Sequence, residues 1–300
     1  MIAVVGPTAA GKSDLAVALA QYFSGEIVNA DAFQFYRGMD IGTAKPTPAQ
    51  RALVRHHCID ILDLDQAASL ADFQAAARSA VQAIARRGRL PIIVGGSALY
   101  LRALCDELDI PPRDPQVRAR LTAEADRVGP MAMFERLRVA DPAAARHIDP
   151  RNQRRVIRAL EVVELTGSFT SRMPDPQSWR PTLWLSPTWS RPDLDRRIQE
   201  RTEQMWRDGL LTEVRQLMPR GLAEAPTARK AVGYPQAMAV LAGTATQESA
   251  IRDTVAATRK LARRQERIFR SDPRIRLVPG SGSPATPAAD LVSDWLAGFS

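Results

Sequence analysis

Apolar residues follow two alternating rhythms along the first hundred positions. Ile2-Ala3-Val4-Val5, Glu26-Ile27-Val28-Asn29 and Pro91–Gly95 are short runs of strand length, and a further strand is expected over His57–Leu62. Between them the spacing shifts to the helical period. One helix is predicted to run to about Phe23 and another from Leu70 to Arg87, with Gly88 standing where a C-terminal cap belongs. Strands alternating with helices in this way predict a parallel α/β sheet.

The pattern changes at Pro111-Pro112-Arg113-Asp114-Pro115. From there to about Trp179 the chain is helix-forming and charged, broken by Gly129-Pro130, Asp141-Pro142 and Asp149-Pro150, with no strand signal. After the turn-rich stretch Met173–Ser178, a strand returns at Thr182-Leu183-Trp184-Leu185. Helices are then expected over Arg191–Asp208, Thr212–Met218 and Tyr234–Leu241, with a long basic one from Gln247 to about Phe269. Gly280-Ser281-Gly282-Ser283-Pro284 reads as a flexible link to a terminal helix near Leu291–Leu296. The expectation is therefore a core domain, residues 1–112 and 180–300, interrupted by a helical insertion over 113–179.

With 300 residues, 45% hydrophobic and 25% charged, the chain can bury a sizeable core. Cys58 and Cys105 are too few for a disulfide framework, and His56, His57 and His147 lack metal-ligand spacing. No run approaches membrane-spanning length and no leader precedes the first strand, so no membrane partner and a cytoplasmic location are expected. The net charge of +8 favours a polyanionic partner. Lysine occurs only at positions 12, 45, 230 and 260, so arginine carries the excess and its clustering decides where such a partner would sit.

The candidate chemistry begins directly behind the first strand. Gly6-Pro7-Thr8-Ala9-Ala10-Gly11-Lys12-Ser13 is a G-x-x-x-x-G-K-[ST] loop entering a helix, so the fold expected is a P-loop NTPase-like parallel sheet flanked by helices. Its glycines let successive N–H groups face one concavity, Lys12 supplies charge, and the Ser13 hydroxyl can hold Mg²⁺. Asp31 ends the second strand, at the sheet edge where open α/β folds bind ligands. It could act as a general base or hold Mg²⁺ and its waters. The loop behind it, from Ala32, Phe33 and Gln34 to Lys45-Pro46, mixes aromatic, amide and basic groups, which suits stacking on a base and reading its edge.

The segments GPTAAGKS, NADAFQFYRGMDIGTAKP, HHCIDILD, VGGSALYLRAL, RVIRALEVVELTG and TRKLARRQERIFR, in this order, closely resemble the bacterial tRNA dimethylallyltransferase (tRNA isopentenyltransferase) family. The resemblance reaches to about Arg270. It implies that Gly6–Ser13 cradles the diphosphate of dimethylallyl diphosphate and that the allyl group passes to the exocyclic amine of the adenosine 3′ of the anticodon, in tRNAs reading codons that begin with U. Asp31 would be the base, Thr8 would lie between the two substrates, and Arg201, in an R-I-x-x-R element, would meet the diphosphate.

The resemblance sets Asp31, Ala32, Phe33 and Gln34 against the extruded nucleotide, with Ser97 where the family has threonine. Ala32 and Phe33 depart from the family's serine-containing loop. It also implies tRNA contacts at Arg118, at Arg154, Arg155, Val156, Ile157 and Arg158, where Arg154 replaces a glutamine, and at Lys230, Gly233 and Tyr234, where the adjacent Pro235 replaces a basic residue. Arg259, Arg263, Arg267 and Arg270 recur at helical spacing as one basic face. The implied partners are a tRNA anticodon stem-loop and dimethylallyl diphosphate, the cofactor is Mg²⁺, and a monomer is expected. Three alternatives stay open: a P-loop kinase using Asp60 or Asp63 for the metal, an adenylate isopentenyltransferase acting on free nucleotides, and a nucleic-acid-binding module with a relic loop.

Overall fold

The computed structural model describes residues 1–170, 173–282 and 285–298. The chain begins β1 (Ile2–Val5), α1 (Lys12–Tyr22), β2 (Gly25–Asn29), α2 (Pro48–Leu53), β3 (His56–His57), α3 (Leu70–Arg86), β4 (Leu90–Gly95) and α4 (Ala98–Cys105). Four helices follow: α5 (Pro115–Val128), α6 (Pro130–Ala140), α7 (Pro142–Ala145) and α8 (Gln153–Thr166). The chain closes with β5 (Leu183–Thr188), α9 (Arg191–Arg207), α10 (Leu210–Leu217), α11 (Tyr234–Leu241), α12 (Gln247–Arg270), β6 (Ile275–Pro279) and α13 (Ala285–Ala297). Two compact units result, Met1–Glu107 with Ser178–Ser300, and Leu108–Gln177.

In the first unit all six strands run parallel in the order β3-β2-β4-β1-β5-β6. β1 and β2 are buried along their whole length; β1 accordingly reads as an unbroken apolar run, while β2 carries Glu26, whose carboxylate is paired with His57 and Arg87. Apolar clusters lie on both faces. Phe73, Ala77, Val81 and Ile84 of α3 pack with Ala3, Val5 and Ile93, while Leu15, Ala16 and Leu19 of α1 pack with Ile2, Val4 and Ile92. At about 1.5–3 kcal/mol for each large side chain removed from water, these two faces supply much of the drive to fold. The Ser69 side chain caps α3 by accepting from the Asp72 amide, and Gly88 closes it at φ +67°.

Two departures from the sequence pattern have local causes. The strand expected over His57–Leu62 is only two residues long, because Cys58 and Asp60 adopt left-handed φ of 59° and 56° and turn the chain away from β2. That turn aims Asp60 at Lys45 and Arg51, at 2.5 and 2.8 Å. β6 carries no clear pattern because it is an edge strand burying only Val278; Pro279 ends it, and the Gly280 amide makes the last bond to β5, donating to the Thr188 carbonyl at 2.8 Å. The terminal helix starts at Ala285, earlier than expected, and the link predicted over Gly280–Pro284 lies partly outside the described residues.

The second unit is helical among its described residues. Asp114 caps α5 by accepting from the Gln116 and Val117 amides, and Leu121, Met133, Leu137, Ile148, Val156 and Leu160 form its core. The carboxylate of Glu161 is fully buried within it and holds the guanidinium groups of Arg118 and Arg158. Arg158 also donates to the carbonyls of Pro111 and Pro112, so this unit begins ahead of the proline pair, not behind it.

Candidate active site

The carboxyl ends of β1, β2 and β4 open into one cleft of the first unit, lined among others by Thr8, Lys12, Ser13, Asp31, Gln34 and Arg201. The loop that starts it turns at Gly6, φ +130°, where an added Cβ would stand 2.7 Å from the Ser186 hydroxyl, and at Gly11, φ +87°. Between them Pro7, Thr8, Ala9 and Ala10 form the rim, and Ala9 takes a positive φ of 63° that a non-glycine residue rarely adopts.

Two residues that sequence reasoning missed hold that rim. Arg197 donates from Nε to the Ala9 carbonyl at 2.9 Å, and Trp189 donates from Nε1 to the Ala10 carbonyl at 3.0 Å. The Arg197 guanidinium also stacks 4.2 Å over the Trp189 ring. Arg197 opens the same R-I-x-x-R element as Arg201, so its place one helical turn away was the available signal.

The charged groups inside the cleft perturb one another. Lys12 donates to the Pro7 carbonyl at 2.7 Å, and burial pushes its ammonium down to about 8, with Arg201 acting in the same direction and Asp31 against it. Burial likewise pushes the Asp31 carboxyl up, opposed by the Phe33 amide, Lys12 and Arg201. Burial lowers Arg201 below the usual arginine value, against the pull of Asp31 and Asp14. Asp31 Oδ1 accepts from the Phe33 amide at 3.0 Å, and Arg201 Nη1 lies 3.3 Å from the Thr8 hydroxyl. A carboxylate poised to take a proton thus shares the cleft with two cations suited to a polyanion.

The loop behind Asp31 is clamped from two sides. Lys45, with its side chain 1% exposed, donates to the Tyr36 carbonyl at 2.6 Å and pairs with Asp40 at 2.8 Å as well as with Asp60. Glu213 accepts from the amides of Asp40, Ile41 and Gly42 at 2.8, 2.6 and 3.2 Å, and from the Tyr234 hydroxyl at 2.6 Å. Gln34 then donates to the carbonyls of Thr43 and Ala44 at 3.1 and 3.2 Å, which fixes its amide beside the cleft. Phe33 lines the cleft, and Ala32 packs into the sheet core. Ser97 begins α4 half-buried, with no side-chain hydrogen bond capping that helix.

Three of the implied tRNA contacts fall on side chains that the fold buries. Tyr234 is fully buried, with burial and then the Glu213 carboxylate driving its hydroxyl far above the usual tyrosine range, so it serves as a core strut. Val156 and Ile157, 0% and 7% exposed, are core residues of the second unit, because they occupy the inward face of α8. Arg154 and Arg155 on the outward face are exposed, whereas Arg118 and Arg158 are engaged by Glu161. Lys230 is exposed and donates to the Pro226 carbonyl at 2.6 Å, and Gly233 lines the cleft at φ +99°. On α12, Arg263, Arg267 and Arg270 are exposed, and Arg259 donates to the Asp195 carbonyl at 3.3 Å.

The described residues contain no group of three or more His, Cys, Asp or Glu able to hold a metal ion. Asp60 is bound by Lys45 and Arg51, Asp63 pairs with Arg37 at 2.9 Å on the surface, and neither lines the cleft that holds Lys12 and Ser13. The Ser13 hydroxyl, with Asp14 beside it, fits a magnesium ion that takes most of its ligands from water and phosphate oxygens. Among the described residues no helix is long and apolar enough to cross a membrane.

Residues 34–272 match the model of the family described as IPP transferase. A tRNA dimethylallyltransferase of Streptomyces avermitilis is 50% identical over 292 residues, 97% of this chain and 94% of that one. A second, of Thermobifida fusca, is 51% identical over 285 residues, 93% and 89% of the two chains. Among solved structures, the full-length tRNA isopentenylpyrophosphate transferase of Bacillus halodurans superposes with a TM-score of 0.72 at 36% identity, covering 99% of this chain and 95% of that chain. A eukaryotic dimethylallyltransferase acting on tRNA superposes at 0.85 with 25% identity, covering 99% and 79%.

Proposed function

The chain belongs to the IPP transferase family, and on that premise we propose that it transfers the dimethylallyl group of dimethylallyl diphosphate to the exocyclic amine of the adenosine 3′-adjacent to the anticodon, in tRNAs reading codons that begin with U. The observation that carries this reading is the convergence of Asp31, Lys12, Arg201 and the Thr8 hydroxyl on one cleft at the carboxyl edge of the sheet.

Bond breaking at the allyl carbon leaves both electrons of the carbon–oxygen bond on the departing diphosphate. Lys12, Arg201 and the amides of the Gly6–Ser13 loop are placed to take up that charge as it develops. Mg²⁺, held by the Ser13 hydroxyl and the diphosphate itself, would add Lewis-acid neutralisation. The incoming amine is a weak nucleophile because its lone pair is delocalised into the adenine ring. Asp31 therefore accepts its proton as the carbon–nitrogen bond forms, and the raised affinity of its buried carboxylate for protons suits it to that task. Phe33 and the fixed amide of Gln34 adjoin the place where an extruded base would sit. The exposed arginines Arg154 and Arg155 on α8, and Arg263 and Arg267 on α12, offer charge to the RNA backbone.

The test is incubation of the purified protein and Mg²⁺ with labelled dimethylallyl diphosphate and either an unmodified tRNA or AMP. Label in the tRNA is the expected result. Transfer to AMP alone would replace the polymeric substrate with a free nucleotide, and ATP consumption without transfer would restore the kinase reading.

A further inference from the structure

The helix with the exposed arginines also reaches into the cleft. Gln265 lies on α12, between Arg263 and Arg267, and its side-chain amide makes two hydrogen bonds of opposite sense. Its Oε1 accepts from the Thr8 backbone amide at 2.9 Å, and its Nε2 donates to the Gly96 carbonyl at 2.9 Å. The fit is close: a Cβ on Gly96 would stand 2.5 Å from that Nε2 and 3.4 Å from the Gly6 carbonyl. The amide thus joins the phosphate loop behind β1 to the end of β4, across 257 and 169 residues of chain.

We propose that Gln265 is a positioning residue of the transfer reaction, whose amide pins Thr8 against Gly96 and so fixes the Thr8 hydroxyl beside Arg201, in the cleft that Asp31 also lines. The inference rests on the functional reading above and adds to it a residue that holds the cradle in register. A primary amide of this length meets both requirements, since it offers an acceptor to the Thr8 N–H and a donor to the Gly96 carbonyl without bringing charge into the cleft. A carboxylate can satisfy Thr8 only, and it sets a negative oxygen against the Gly96 carbonyl. An isosteric aliphatic side chain satisfies neither group. Misplacing Thr8 by a fraction of an ångström acts on the reacting geometry more than on RNA docking, which the outward arginines of the same helix still provide.

The experiment compares wild type, Gln265→Glu and Gln265→Leu for transfer from labelled dimethylallyl diphosphate to an unmodified anticodon stem-loop RNA, across pH 5.5–8.5, roughly the range in which a buried carboxyl titrates. At neutral pH both variants are expected to lose about tenfold or more in kcat, while the KM for RNA stays within about twofold of wild type. The distinguishing readout is the ratio of variant to wild-type kcat at each pH. Gln265→Leu adds no charge, so the titrations of Asp31 and Lys12 cancel in its ratio. The carboxylate introduced by Gln265→Glu into the same cleft raises both pKa values, which lowers its ratio towards acid pH and opposes the expected change. For Gln265→Glu that ratio should climb as pH falls, because a neutral carboxyl again donates to Gly96 while accepting from Thr8. For Gln265→Leu it should stay low and flat. Wild-type kcat in Gln265→Leu, or a Gln265→Glu ratio indifferent to pH, overturns the proposal. A wild-type protein that transfers no label to the RNA removes the functional reading and this inference with it.

Discussion

Replacing Asp31 with asparagine isolates the proton-accepting step. The Asp31 carboxylate accepts from the Phe33 amide at 3.0 Å, and its own amide donates to Asn29 Oδ1 at 3.1 Å. A carboxamide in place of the carboxylate would keep an oxygen for the first bond and leave the second untouched, so the turn survives and only proton affinity is lost. General-base catalysis contributes about 10²–10⁴, so kcat should fall by that factor, equivalent to ~2.7–5.5 kcal/mol at 1.36 kcal/mol per decade.

The pH profile of kcat/KM, which reports the free enzyme, carries a second signature. In wild type, activity is lost as pH falls through the raised pKa of Asp31, because the base becomes protonated. It is lost again as pH rises through about 8, because the Lys12 ammonium becomes neutral. Asp31→Asn should abolish the acid limb. It should also move the alkaline limb to lower pH, since the carboxylate that supports the Lys12 charge is gone. Single-turnover transfer to the stem-loop RNA, measured from pH 5 to 9.5, reads both limbs. A loss of kcat below about tenfold, or an acid limb that persists in the variant, would refute the assignment of Asp31 as base.

Three further outcomes follow from the same geometry. Glu213→Ala strands three loop amides and the Tyr234 hydroxyl; at about 1–3 kcal/mol per buried group, with water reaching some of them, ~3 kcal/mol of stability should be lost in urea unfolding. In the second unit, burial opposes the charge on Glu161, but hydrogen bonds from Arg118, Arg158 and the Asp114 amide outweigh it and hold its pKa below the usual range. Its stabilising contribution is therefore full above the unfolded glutamate pKa and is lost as pH falls through the lower folded value, so Glu161→Gln should cost stability at pH 7 and progressively less towards pH 3 in denaturant titrations. Arg263→Ala with Arg267→Ala should weaken RNA binding and reduce the slope of log affinity against log salt by about 1–2, with the affinity for dimethylallyl diphosphate unchanged.

The helical insertion, the parallel sheet and the glycine turns were legible from local patterns, because period, proline placement and the need for positive φ act within a few residues. The same period placed Arg154 and Arg155 outward, yet it equally put Val156 and Ile157 on the buried face of α8, which reading the motif as a unit obscured. The strand over His57–Leu62 failed for a different reason. Asp60 bends the chain toward Lys45, and no pattern internal to that run records a distant cation.

By itself the sequence determined a phosphate loop at the end of a buried strand, an aspartate at the end of the next one, and a chain rich in arginine. Only the tertiary structure decided which arginines are spent inside the protein and which face outward. It decided too that Tyr234 is a strut for Glu213, that Arg197 and Trp189 brace the loop carbonyls, and that Gln265 ties Thr8 to Gly96. These contacts join residues far apart in the chain, and their donors and acceptors become specific partners only once the packed sheet has brought them within hydrogen-bonding distance.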